Sequence, residues 1–277
     1  MIMVYNKISK IIRTNKGNLI LMKIILAGCN GKMGKAVTQA VFENMEKYTI
    51  IAGIDPKPSQ EYAKFPVFTD ITEYNGQSDI IIAFTPHDKT GELLGYADKK
   101  NIPVVLGTTG HTPDETDMIN SYSKTLPIFK SANMSVGVHL VAELAKKAAV
   151  LLKENFDIEI IEKHHNQKLD APSGTALMIA DGISSVFDED QKPEYVFGRY
   201  GSEKKRDKNE IGIHALRGGS IIGEHEVIFA GQNELISISH SARSREMFAS
   251  GALFAAGFLY GKAPGLYGMK DLLEKII

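Results

Sequence analysis

"KIILAGCNGKMGKAVTQAVFENMEKYTIIAGID", residues 23–55, sets a glycine loop and a helical pattern between two apolar runs. The first run is near-continuously aliphatic, as a strand covered on both faces is. Met33, Val37, Val41 and Met45 then recur at helical spacing, and "YTIIAGID" reads as a second strand. Strand, glycine loop, helix and strand in this order form the unit from which doubly wound parallel sheets are built.

The loop carries Gly28, Gly31 and Gly34 at G-x-x-G-x-x-G spacing. Such glycines permit a tight turn and close main-chain approach, and the helix start beyond them offers N–H groups and partial positive charge to a pyrophosphate. Asn30 stands where the common dinucleotide fingerprint has glycine, which leaves a flavin or a ligand bound only by its phosphates open. Asp55 ends the second strand about twenty residues on, where an acidic side chain accepts the adenosine ribose hydroxyls. The competing reading is a loop aspartate before "PKP". An aspartate disfavours the 2′-phosphate of NADP, whereas Lys32 and Lys57 are near enough in sequence to neutralise it, so the choice between NADH and NADPH stays open. Cys29 reads as a small filler of the loop, without a redox partner.

Further along, "SDIIIAFTP", "IPVVLGTTG" and "LPIFKSAN" continue the apolar strands, and "HTPDETDMINSYSK" opens with Thr112, Pro113 and Glu115, a capping box with proline at the first helical position. The pattern changes after Asn133. "SVGVHLVAELAKKAAVLLKE" reads as one long helix, and "FDIEIIEKHH" as a strand in which Phe156, Ile158 and Ile160 alternate with Asp157 and Glu159. "EIGIHALRGG", "IIGEHEVIFAG" and "ELISISHSA" follow with glycine-rich turns, as antiparallel or meandering strands do. "KKRDKNE", residues 204–210, reads as a charged, mobile loop. Residues 244–277 return to helical spacing and pack back on the first domain. The expected architecture is α/β: a Rossmann-like doubly wound parallel sheet over 22–134, completed by 241–277, plus an α+β domain with a mixed or antiparallel sheet over 135–240.

The 277 residues are 43% hydrophobic and 23% charged, an ordinary soluble composition, and the net charge of -1 gives no footprint for nucleic acid or an anionic membrane. Small-molecule chemistry is the remaining default. The single cysteine excludes an internal disulfide and fits a reducing cytoplasm. The longest charge-free run, residues 247–261, is too short to span a bilayer and reads as a buried helix. Residues 1–21 hold four basic and no acidic side chains; an over-called start or a loose N-terminal arm is favoured over a transit-type leader.

Chemistry concentrates in "EKHHNQKLDAPSGTAL", residues 162–177. Adjacent side chains on an extended segment point to opposite faces, so His164 and His165 serve one cleft only where the strand ends. An imidazole titrates near neutral pH and suits protonation of an electron-rich centre that has just received hydride. Lys168 adds fixed positive charge, and Ser173 or Thr175 caps a helix that starts with Gly174, a good place for a carboxylate. Together these describe a pocket for an anionic substrate that gains a proton; the bland alternative is a polar strand end beside an ordinary cap. Adjacent histidines without cysteine or a well-spaced carboxylate make poor zinc ligands, and no metal is expected. His87 and His111 follow strand ends and are cleft candidates, while His139, His214, His225 and His240 read as structural.

These residues resemble the 4-hydroxy-tetrahydrodipicolinate (dihydrodipicolinate) reductase family. The histidine segment is similar to its signature, and "GCNGKMG", "GTTG", "SANMSVGV", "LRGGSIIGEHEV" and "GLYGMKDLL" match in family order from about Met22 onward. The resemblance implies NADH- or NADPH-dependent reduction of a cyclic dicarboxylate with loss of water, in lysine and diaminopimelate biosynthesis, in the cytoplasm. It implies His164 as proton donor, Lys168 as second donor and substrate contact, and His165, Gly174 and Thr175 as holders of the carboxylates. It assigns cofactor contacts to Gly28, Cys29, Asn30, Gly31, Lys32, Met33, Asp55, Gly107, Thr108, Thr109, Ser131, Ala132, Asn133 and Met134. A homotetramer built through the second domain's sheet is also implied, with a hinge closing on substrate. Pro56 stands where some members have an arginine for the 2′-phosphate, which puts NADPH selectivity in doubt. Two readings compete: a related oxidoreductase of another amino or keto acid, and a catalytically silent NAD(H) sensor.

Overall fold

The structure is a computed structural model, described here over residues 21–57, 63–201 and 205–274. Residues 1–20 and Lys204 lie outside the described residues. The chain divides into two compact units: residues up to Val136 together with Arg245 onward, and Gly137–Ser244.

The first unit is a seven-stranded sheet. Strands β1 (Met22–Ala27), β2 (Tyr48–Ile54), β3 (Val67–Phe68), β4 (Ile80–Ala83), β5 (Val104–Leu106), β6 (Pro127–Lys130) and β12 (Gly265–Tyr267) lie in the order β12-β6-β5-β4-β1-β2-β3. Every neighbouring pair is parallel. Residues 24–27 of β1 and all of β4 are buried in succession, which is why these strands read as unbroken aliphatic runs. Alternate residues of β1 enter two cores: Ile24 and Leu26 join one with Val37, Val41 and helix α6 (Glu246–Leu259), and Ile25 and Ala27 join the other with Leu93 and Ile119.

Helix α1 (Lys32–Phe42) follows the glycine loop; it stops short of Met45, which is exposed rather than part of the expected apolar stripe. Helix α2 (Thr90–Lys100) precedes β5, and α3 (Pro113–Tyr122) begins with the expected capping box of Thr112 and Glu115. Of the charge-free run, residues 247–259 form a buried helix, α6, which ends before the exposed Tyr260 and is followed by the short α7 (Met269–Glu274). The expected purely helical tail is corrected by β12, which pairs with β6 at the sheet edge between these helices.

The second unit contains helix α4 (Val136–Leu152), which starts one residue inside the first unit, and a five-stranded sheet. Its strands are β7 (Asp157–His164), β8 (Glu194–Phe197), β9 (Glu210–Arg217), β10 (Gly223–Ala230) and β11 (Leu235–Ala242), in the order β11-β10-β7-β9-β8. The sheet is mixed: β10 runs antiparallel to β7 and β11, whereas β7, β9 and β8 are mutually parallel. Helix α5 (Gly174–Ser184) supplies the crossover after β7 and packs Ala176, Ile179 and Ile183 into a core with Ile158, Ile160 and Val227. The loop before β9 departs from its reading as mobile. Arg206 is tied to Asp157 at 2.8 Å, to Glu159 at 3.0 Å and to the Glu210 carbonyl at 2.7 Å.

Candidate active site

In the first unit every expected cofactor residue falls at the C-terminal end of a parallel strand, the edge where doubly wound sheets bind ligands. Gly28–Met33 follow β1, Asp55 follows β2, Gly107–Thr109 follow β5 and Ser131–Met134 follow β6. Gly28 has a φ of +79°, and a Cβ there would lie 2.5 Å from the Phe84 carbonyl oxygen, so the loop needs glycine twice over. A Cβ on Gly34 would lie 2.2 Å from the Gly28 carbonyl oxygen, which seats α1 directly against the turn.

Asp55 is fixed by two main-chain donors, Asn30 N–H to one carboxylate oxygen at 3.1 Å and Lys57 N–H to the other at 3.1 Å. The Asn30 amide in turn donates to the Lys57 carbonyl at 2.7 Å. Asn30, the departure from the fingerprint, thus locks the glycine loop to the segment after β2. A cleft of about 390 Å³ opens beside them, lined by Gly28, Gly31, Asp55, Pro56, Thr85 and Lys89. Thr85, Pro86 and Lys89 were not foreseen; the "FTPHDK" turn after β4 carries no fingerprint.

Other expected contacts are differently placed. The Cys29 side chain is buried in the core, and burial first, with the Asp55 charge second, pushes its thiol up to about 11. Met134 is likewise core. Ser131 donates to the Asn133 carbonyl at 2.6 Å, and the Asn133 side chain accepts from Ser135 N–H at 2.9 Å, so this turn is held internally. The Thr108 hydroxyl is buried and finds no partner among the described residues. A main-chain cradle that a Cβ would fill, an acidic group at the end of β2 and an unsatisfied hydroxyl on the same sheet edge fit a nicotinamide dinucleotide. Of the two histidines read as cleft candidates, His87 donates from Nδ1 to the Glu115 carboxylate at 2.9 Å, and His111 meets the Thr90 hydroxyl at 2.9 Å.

The second unit gathers the histidine segment. β7 alternates strictly, and Ile158, Ile160, Glu162 and His164 share its buried face. His164 is its last residue, and its carbonyl accepts from Gly218 N–H at 2.9 Å, tying the strand end to the turn between β9 and β10. His165 lies just past the strand and is half-buried. Ser173 caps α5, accepting from Ala176 N–H at 3.2 Å, so the first turn contains Gly174 and Thr175 as expected. A Cβ on Gly174 would meet nothing within 4 Å, and the Gly174 N–H donates to the Asp170 carboxylate. Lys168 pairs with Asp170 at 2.8 Å.

Glu162, unforeseen in the sequence, holds the cluster together. Its side chain is fully buried; it accepts from His164 Nδ1 at 2.6 Å, from two Arg217 nitrogens at 2.8 and 2.7 Å, and from Ser173 N–H at 3.0 Å. Burial pushes its carboxyl up, but the bonds from Arg217, His164 and Ser173 outweigh that and hold it below the usual carboxylate range. Removing one partner of a buried pair of this kind costs about 3–5 kcal/mol. Burial lowers the proton affinity of His164, against the opposing pull of Glu162. His225, read as structural, packs its ring edge-on to His164 with centroids 5.3 Å apart and meets the Ser173 hydroxyl at 3.1 Å. Burial, then the charge of His164, drives His225 down to about 4, so it is neutral at physiological pH.

The nucleotide-binding sheet edge marks the class, and the chain is a nicotinamide-dependent oxidoreductase. Sequence models of the two halves of dihydrodipicolinate reductase match it, the N-terminus over residues 22–134 and the C-terminus over 137–273. It belongs to the dihydrodipicolinate reductase family. The 4-hydroxy-tetrahydrodipicolinate reductase of Caldanaerobacter subterraneus subsp. tengcongensis is 52% identical over 92% of this chain and 100% of its own. The one from Clostridium novyi is also 52% identical, over 92% of this chain and 99% of its own. Among solved structures, a dipicolinate-bound dihydrodipicolinate reductase from Paenisporosarcina sp. TG-14 superposes with a TM-score of 0.76 at 26% identity, covering 91% of this chain and 99% of that one.

Proposed function

We propose that the protein reduces 4-hydroxy-tetrahydrodipicolinate to tetrahydrodipicolinate with loss of water, in lysine and diaminopimelate biosynthesis. The observation that carries this reading is the seating of His164 and the α5 cap residue Ser173 around one buried carboxylate, within a chain that is 52% identical to reductases of that name. NADH or NADPH, bound at the glycine loop, supplies the hydride. Once the ring has lost its hydroxyl and a neighbouring hydrogen as water, hydride adds to it; His164 delivers the proton from Nε2 to the electron-rich ring that results, and takes another from solvent. Gly174 and Thr175 receive one substrate carboxylate on the main-chain N–H groups of the first α5 turn. Lys168, released from Asp170, and His165 take the other.

We infer a homotetramer formed through the second unit's sheet. Its edge strand β11 leaves Leu235 and Ile236 exposed, an apolar surface on an unpaired edge. A cytoplasmic location fits the demand for reduced nicotinamide. Among the described residues no helix is long and apolar enough to cross a membrane.

The test is oxidation of NADH and of NADPH by the purified chain, with substrate generated from pyruvate and aspartate semialdehyde by a coupled synthase. Rapid oxidation is expected, falling about 10²- to 10⁴-fold in His164→Gln, the range for loss of a general acid. Lys168→Ala is expected to lower turnover sharply while NADH binding persists. Tight NADH binding with no oxidation in the unaltered chain would overturn the reading in favour of another substrate or a sensor.

A further inference from the structure

We propose that Glu162 is the positioning residue of the proton-transfer site, fixing His164 in the tautomer that carries hydrogen on Nδ1 so that Nε2 alone gains and loses the catalytic proton. The inference rests on the reading of His164 as proton donor, and it adds a residue that neither the histidine pair nor the helix start implies.

The geometry leaves one assignment of hydrogens. A carboxylate has about four lone-pair sites. On Glu162 four donors fill them: His164 Nδ1, two Arg217 nitrogens and Ser173 N–H. Three of the four are N–H donors that cannot act as acceptors, so the carboxylate is held as an acceptor, and a lone pair on Nδ1 would oppose it at 2.6 Å. Nδ1 therefore bears hydrogen whether the ring is neutral or charged. Nε2 is left as the titrating atom, with Gly223 as its neighbour.

The groups around His164 set the balance of charge. Arg217 from β9 and Lys168 from the segment after β7 oppose its protonation; Glu162 on β7 favours it, and Asp170 offsets Lys168 and Arg217. His225 from β10, with His240 opposite it on β11, adds a neutral ring edge at physiological pH. Take away the Glu162 charge and the imidazolium faces two cations, with Asp170 the one anion left to offset them. Arg217 also keeps Glu162 from competing for the proton, so the pair works as a clamped acceptor.

The experiment reads His164 directly, by ¹⁵N–¹H NMR of its ring in the full chain over a pH series, beside the pH profile of turnover. The unaltered protein is expected to show the Nδ1–H tautomer when neutral; an Nε2–H tautomer would overturn the proposal whatever the variants do. In Glu162→Gln the ring is expected to lose its proton about one pH unit lower or more, with the alkaline limb of kcat moving the same way. Turnover at neutral pH should fall about 10- to 100-fold while the substrate KM changes little. Glu162→Asp, which keeps the charge but draws it back from Nδ1, should restore part of both and serves in its place if the glutamine variant does not fold. Unchanged tautomer and titration in either folded variant sinks the proposal. Full activity in His164→Gln would instead sink the proton-donor reading, leaving the tautomer result standing.

Discussion

Gly223 keeps the Nε2 edge of His164 clear: a Cβ built on it would stand 3.1 Å from that nitrogen, closer than ordinary van der Waals contact. Alanine suits an extended strand, so Gly223→Ala should leave the melting temperature within a few degrees. Turnover should nevertheless fall about tenfold or more, because the methyl crowds the nitrogen proposed to deliver the proton. Steady-state kinetics beside a melting curve decides it, and undiminished kcat would show that the proton leaves by another route.

Asp55 bears on nucleotide choice. Its carboxylate is clamped by Asn30 and Lys57 main-chain N–H groups beside the cleft, and on the proposed reading it would accept ribose hydroxyls and repel a 2′-phosphate. Asp55→Ala should raise the ratio of kcat/KM for NADPH over NADH by about tenfold or more, chiefly by weakening NADH. An unmoved ratio would mean that Lys32 and Lys57 dominate.

At Gly34 the constraint is contact. An added Cβ would lie 2.2 Å from the Gly28 carbonyl oxygen and 2.5 Å from that of Cys29. Gly34→Ala must push α1 off the loop, at a cost of roughly 1–3 kcal/mol. Thermal unfolding should register the loss and NADH titration should show weaker binding; a variant as stable and as tight as the parent would refute the close seating.

His225 gives a pH dependence with a definite sign. Its folded value of about 4 lies below the unfolded one near 6.5, so the unfolded chain binds more protons between those limits. The stabilisation is complete above about pH 6.5 and is lost as pH falls through 4, amounting to roughly 3 kcal/mol at most. Melting temperature should drop from pH 7 to pH 5, and His225→Gln should flatten that drop. Parallel curves for the two proteins would contradict a neutral buried ring.

The first unit was largely legible because local rules coincide there. Unbroken aliphatic strands, the glycine loop and the Thr112–Glu115 cap each act over a few residues, and each formed. β3 and β12 escaped notice because two or three residues carry no periodicity; pairing with β2 and β6 defines them. Glu162 was readable in part. It keeps the parity of Ile158 and Ile160, so the alternation itself puts a carboxylate on the buried face. Its partner Arg217 lies 55 residues away, and only the register of β7 with β9, which sets His164 opposite Arg217, brings the two together. The contacts of His225 with Ser173 and His164 were hidden for the same reason, since they come from the fold rather than from its own strand.

Because the last segment of the chain returns to the first unit, that unit is finished late in synthesis. Its core counts Ala249, Ala252, Leu253, Ala256 and Leu259 among the side chains against β1 and α1, and its edge strand β12 follows them. Residues 137–244 are thus made before the segment that closes the core of the nucleotide half. The glycine loop is made long before the core it rests on is complete.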